Sequence, residues 1–133
     1  MTAIDWLKTF LKEHGAVAGT VHRRVAEDLL ALEAAVNIPE PVQRATQEVP
    51  SGKGMAGIAL AENRCVSTCN LKDDKTGQVR PGAKAVDATA AVAIPVHDGE
   101  GKVRAVVGIA WAGTKELTDG ELVELQVKAG TLR

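Results

Sequence analysis

Cys65 and Cys69 are the two cysteines of this chain, and they are the residues whose chemistry asks first to be explained. A thiolate is a nucleophile, so whether these two thiols can act together is the first question. On a strand, a spacing of four puts both side chains on one face, roughly 13 Å apart at about 3.3 Å per residue. A disulfide requires Cα atoms within about 7 Å, so these two cannot pair while the strand holds. The residues themselves point to reduced free thiols, buried or lining a pocket. His14, His22 and His97 are scattered without the spacing of metal ligands, and are expected at the surface with no metal between them.

Two other groups carry potential chemistry. In the polar stretch 70–87, Lys72, Lys75, Arg80 and Lys84 outnumber Asp73 and Asp74. A loop of this length in a compact domain is more often functional than idle. If Arg80 or Lys84 turns inward, a carboxylate, a nitrate-like ion or a phosphate would be its ligand, since guanidinium binds planar oxyanions in a bidentate manner; a solvated loop is the alternative. The second group is Gly52, Gly54 and Gly57, which match G-x-G-x-x-G, with Asp73 or Asp74 near the place of a ribose acid. A dinucleotide site needs a buried strand directly before the glycines. Gln47-Glu-Val-Pro50 is polar and ends in proline, so the match is discounted. Gly54 after Lys53 also rules out a Walker A loop, which requires a hydroxyl residue there.

The elements that must position these residues follow from periodicity and capping. Thr2 and Asp5 approximate a capping box, and Ile4, Trp6, Leu7, Phe10 and Leu11 form an apolar stripe, predicting a helix over 3–13. Residues 16–24 alternate, with Val17, Gly19 and Val21 on one face and Ala18, Thr20 and His22 on the other, predicting a strand. A second strand over 29–38 follows from the alternation of Leu30, Leu32, Ala34, Val36 and Ile38, with Ala26-Glu-Asp28 as the turn. Pro41 opens a helix through Val42, Ala45 and Val49. Further segments are a helix over 56–62, a strand over 65–69, and strands over 88–96 and 103–112 joined by the Asp98-Gly-Glu-Gly101 turn. Thr118 and Glu121 form a capping box opening a last helix with Leu122, Leu125 and Val127.

This arrangement resembles a GAF domain. The resemblance rests on Val49-Pro-Ser-Gly-Lys-Gly-Met-Ala-Gly57, the helix at 58–64, the strand at 66–70, the strand at 91–96 and the strand at 106–111. Cys65 stands where that family often has proline, and Asn70 near a common aspartate. The resemblance implies an α+β fold, PAS-related, with one domain over 1–133. Its twisted antiparallel sheet would have five to six strands, with N- and C-terminal helices on one face and a ligand pocket on the other. It also implies that Met55, Cys69, Asn70, Arg80, Lys84, Asp87 and Thr89 lie near the pocket. Members bind different small molecules, or none, and a branch reduces free methionine sulfoxide with thiols; that branch carries more cysteines than this chain. A covalent bilin would need a suitably placed Cys followed by His, and no His occurs between His22 and His97.

Composition bounds the rest. The 133 residues are 45% hydrophobic and 25% charged, enough for one ordinary core. With 16 basic and 17 acidic residues the net charge is −1, and Trp6, Phe10 and Trp111 are the only aromatics, so neither a field nor a stacking platform favours nucleic acid. No run reaches the roughly 20 apolar residues of a membrane span, and no signal peptide is evident, so the expected location is cytoplasmic. The expected function is a non-catalytic sensory or regulatory domain that binds a small metabolite or anion, of identity not written in the sequence, and signals in trans to a protein partner. Trp6, Phe10, Leu122 and Leu125 are candidates for a homodimer surface. The alternatives are a thiol-dependent reductase and an interaction module with an empty pocket. No cofactor is specified.

Overall fold

The computed structural model describes residues 2–68, 90–112 and 117–132. The elements are α1 (Ala3–His14), β1 (Ala18–Ala26), β2 (Leu29–Val36), α2 (Glu40–Ala45), β3 (Glu48–Pro50), α3 (Gly54–Glu62), β4 (Val66–Thr68), β5 (Ala90–His97), β6 (Val103–Trp111) and α4 (Asp119–Ala129). The strands form one six-stranded sheet in the order β3-β2-β1-β6-β5-β4, with every pairing antiparallel. The fold is α+β, as the element pattern requires.

Each face of this sheet takes one half of the strand alternation. On β5 the larger Val92, Ile94 and Val96 join Val21, Val107 and Ile109 beneath Leu7, Phe10 and Leu11 of α1 and Leu125 and Ala129 of α4. Ala93 and Val106 instead pack with Leu30, Val49, Val66 and with Ala59 and Leu60 of α3 on the opposite face. The terminal helices therefore share one face and α3 lies on the other. Trp6 ties the ends together: its ring stacks on Phe10 at 4.8 Å and its Nε1–H donates to Thr131 Oγ1 at 2.9 Å.

The caps formed where the sequence places them. The Thr2 side chain accepts from the Asp5 amide and Gly15 closes α1 in the left-handed region. Thr118 and Glu121 make the reciprocal capping box of α4. In the β5–β6 turn the Asp98 carboxylate accepts from the amides of Glu100 at 2.8 Å and Lys102 at 3.1 Å.

Four expectations need correction. Val49 is not helical: α2 stops at Ala45, and Glu48–Pro50 instead pairs with the open edge of β2. The first strand runs two residues later than its apolar pattern suggests, because Val17 precedes the ladder and remains exposed. Val127 points outward at 69% exposure, since Leu125 and Ala129 already define the buried stripe of α4. Phe10 and Leu125, expected on a dimer surface, are both only 3% exposed because they bury against the sheet within the monomer.

Candidate functional site

Between the sheet and its α3 side lies a cavity of about 150 Å³. Its floor comes from alternate positions of three strands: Ala18, Thr20 and His22 on β1, Gly108 and Ala110 on β6, and Ala91 and Ala93 on β5, all of them small but His22. Thr20 pairs with Gly108, and Gly108 with Ala93, so these residues stand in one row across the sheet. The same strands put Val21, Val107, Val92 and Ile94 on the other face. The void follows from that asymmetry: large side chains on one surface fill the space below the helices, while alanine and glycine on the other leave room above.

The walls come from the chain between β2 and α3. Ile38, Val42 and Thr46 form one side, Val49 the next, and Lys53, Gly54, Met55 and Ala56 the side at the beginning of α3. The glycine-rich turn fixes that last wall. Gly52 has φ 85°, its amide donates to the Gly57 carbonyl at 2.8 Å, and the Lys53 amide donates to the Pro50 carbonyl at 3.1 Å. A Cβ at Gly57 would stand 2.4 Å from the Pro50 oxygen, so the third glycine is a packing requirement. The turn's role is to aim α3, and the dinucleotide reading set aside on sequence grounds finds no parallel βαβ unit here among the described residues.

His22 is the principal correction to the sequence reading. It is 3% exposed rather than superficial, because β1 lies inside the sheet and both of its faces are covered. Its ring Nε2 is 2.9 Å from the Thr46 carbonyl oxygen. A carbonyl can only accept, so Nε2 carries the proton of this bond. This bond also ties the end of α2 to β1 and holds the Val42–Thr46 wall in place. His14 and His97 are half-exposed.

Of the expected pocket residues, Met55 lines the cavity. Cys69, Asn70, Arg80, Lys84, Asp87 and Thr89 lie outside the described residues. Thr20, His22 and Thr46 were missed as pocket residues, although the alternation did group Thr20 with His22. Cys65 is half-buried on the helix side of the sheet, packed against the core there, with Sγ 4.0 Å from Gln126 Oε1. Burial pushes its thiol pKa up, which disfavours the thiolate. A second hollow, about 440 Å³ and open, lies between Arg24, Glu27, Asp28, Ser51, Leu60 and Ala61. Arg24 there donates to the carbonyls of Ala26, Glu27 and Val103. Among the described residues no three His, Cys, Asp or Glu side chains gather as a metal site, and no helix is long and apolar enough to cross a membrane.

The sheet thus carries the terminal helices on one face and a small-residue cavity under α3 on the other. The GAF domain family model matches residues 2–132, and the chain belongs to that family. Among similar solved structures is the type II free methionine-R-sulfoxide reductase of Thermoplasma acidophilum, at TM-score 0.75 and 15% identity over 95% of this chain and 83% of that one. The GAF domain of an Acinetobacter phosphoenolpyruvate-protein phosphotransferase matches at TM-score 0.75 and 10% identity, covering 98% and 78% of the two chains. The free methionine-R-sulfoxide reductase of Neisseria meningitidis, in complex with its substrate, matches at 0.72 and 17%, covering 97% and 76%. At these identities the likeness establishes the fold. No curated protein sequence matches the chain.

Proposed function

We propose that this chain is a non-catalytic sensory or regulatory GAF domain that takes up a small metabolite and signals in trans, in the cytoplasm, through contacts with a regulatory protein partner. The observation that carries this reading is the cavity of about 150 Å³ over the row Thr20, Gly108 and Ala93. Sequences under pressure only to fold fill such a space, since empty volume forfeits dispersion contacts. The test is native mass spectrometry of freshly purified protein beside its denatured mass. A small-molecule mass lost on denaturation supports the sensor. A clean apo mass, with no ligand recovered from metabolite pools, favours the interaction module.

Thiol-dependent reduction is the second reading, favoured by the free methionine-R-sulfoxide reductases among the similar structures. The position and raised pKa of Cys65 weigh against it as the nucleophile. Turnover of free methionine sulfoxide by the wild-type protein, lost in Cys69→Ser, would establish this reading. Absence of turnover removes it.

A further inference from the structure

We infer that the cavity selects a compact, neutral, largely apolar molecule of about six to eight non-hydrogen atoms, a small ring or a branched aliphatic with at most one polar group. This deepens the sensor reading and rests on it. Size is the first argument. A largely apolar pocket of about 150 Å³ has room for a benzene-sized guest, and that is the volume found here.

Lining chemistry is the second argument. The described floor is carbon apart from the Thr20 hydroxyl and the His22 ring, and the walls add Ile38, Val42, Val49, Met55 and Ala56 with Thr46, whose hydroxyl donates to the Val42 carbonyl. Lys53 is the one side chain carrying a fixed charge among the described lining residues, and it is exposed at the rim. An anion entering this space would surrender its hydration without a buried counter-charge from those residues, which is unfavourable. A neutral guest gives up little hydration and gains the dispersion contacts that the alanines and glycine leave unmade.

Placement of the polar group is the third argument. Among the described residues no side chain caps the beginning of α3 from its N-cap Lys53, and its first turn holds no acidic residue. Helix starts carry amides without intrahelical partners. A hydroxyl or carbonyl oxygen satisfies such an amide as an anion does, without the desolvation of an ion. One oxygen on the α3 side and a hydrocarbon body over Thr20, Gly108 and Ala93 is the pattern this space fits.

The experiment titrates the whole protein with benzene and toluene, and separately with nitrate and acetate. It follows amide shifts of Thr20, Ala93 and Gly108 by NMR, and the thermal midpoint. The expected result is saturable shifts at those amides and a rising midpoint with the apolar probes, and at least tenfold weaker binding in Ala91→Leu, which fills the floor; Ala110→Val replaces it should Ala91→Leu fail to fold. Apolar binding that the filled variants do not weaken overturns the inference, because the guest then sits elsewhere. Saturable shifts with nitrate or acetate and none with benzene or toluene overturn the ligand class and leave the sensor reading standing. If neither series shifts those amides, the inference fails and so does the cavity argument for a sensor.

Discussion

Gly108 and Thr20 face each other across the β1–β6 ladder, and a Cβ on Gly108 would lie 3.0 Å from the Thr20 Oγ1. That separation is tighter than ordinary contact, so a methyl there forces the hydroxyl to move. Gly108→Ala is expected to leave the fold intact and reduce uptake of a cavity guest about tenfold, equivalent to about 1.4 kcal/mol. Circular dichroism and an apolar-probe titration check the two halves of this statement; wild-type binding would remove Gly108 from the floor.

Gly57 is a harsher position. Its absent Cβ would meet the Pro50 backbone oxygen at 2.4 Å, and backbone cannot swing aside as a hydroxyl can. Gly57→Ala is expected to destabilise by about 2–3 kcal/mol through overpacking, read as a lower urea midpoint at unchanged slope. A midpoint equal to wild type would show that α3 can shift away from the turn.

Asp98 makes stability depend on acid. Hydrogen bonds from the Glu100 amide first, then the Lys102 amide, hold its carboxyl below the usual range. Its folded pKa is depressed, so its contribution is present above the unfolded value near 3.9. That contribution is lost as pH falls through the lower folded value. Asp98→Asn keeps an acceptor oxygen and should flatten this part of the profile; urea midpoints between about pH 2 and 5 decide it.

Cys65 acts at the other end of the scale. Burial raises its folded pKa, so its contribution to stability is fully present below the unfolded thiol value near 8.5 and is lost as pH rises through the folded value. Iodoacetamide should therefore modify Cys65 more slowly in the native protein than in urea, measured by peptide mass spectrometry. Equal rates would contradict the burial.

The terminal helices can support a homodimer only through what the monomer leaves uncovered. Val123 and Val127 are 61% and 69% exposed one turn apart on α4, whereas Phe10 and Leu125 are committed to the core. If a dimer forms, Val123→Glu with Val127→Glu should give a monomer by light scattering, with the stability of each unliganded chain changed by about 0.5 kcal/mol or less per site. A wild-type monomer at high concentration dismisses the dimer.

Much of the architecture was legible because it rests on local chemistry. Thr118 with Glu121, Asp98 with Gly101 and the Thr2 cap each encode an end or a turn within a few residues, and each formed. Val49 was misassigned because β3 depends on the open edge of β2, a partner distant in sequence that helical spacing after Pro41 cannot show. The pocket was half legible. Thr20 and His22 were placed on one face, but His22 was expected at the surface because nothing local to β1 shows a cover made by α2 and α3. A usable signal did exist in Ala91-Val-Ala-Ile94 and Val107-Gly-Ile-Ala110. Small and large residues alternate there on adjacent paired strands, the pattern of one filled face and one hollow one.

The sheet order has a kinetic corollary. β1 and β2 come from the beginning of the chain and β5 and β6 from near its end, and the β1–β6 ladder joins them beneath the cavity. Pairing Thr20 with Gly108 closes a long loop, a slow event when contacts are so non-local. Contacts made after the rate-limiting crossing change mainly the unfolding rate. A guest seated on that seam would engage only the assembled sheet. It would lengthen the lifetime of the native state while leaving the speed of folding nearly untouched, so occupancy could be recorded as protein persistence as well as shape.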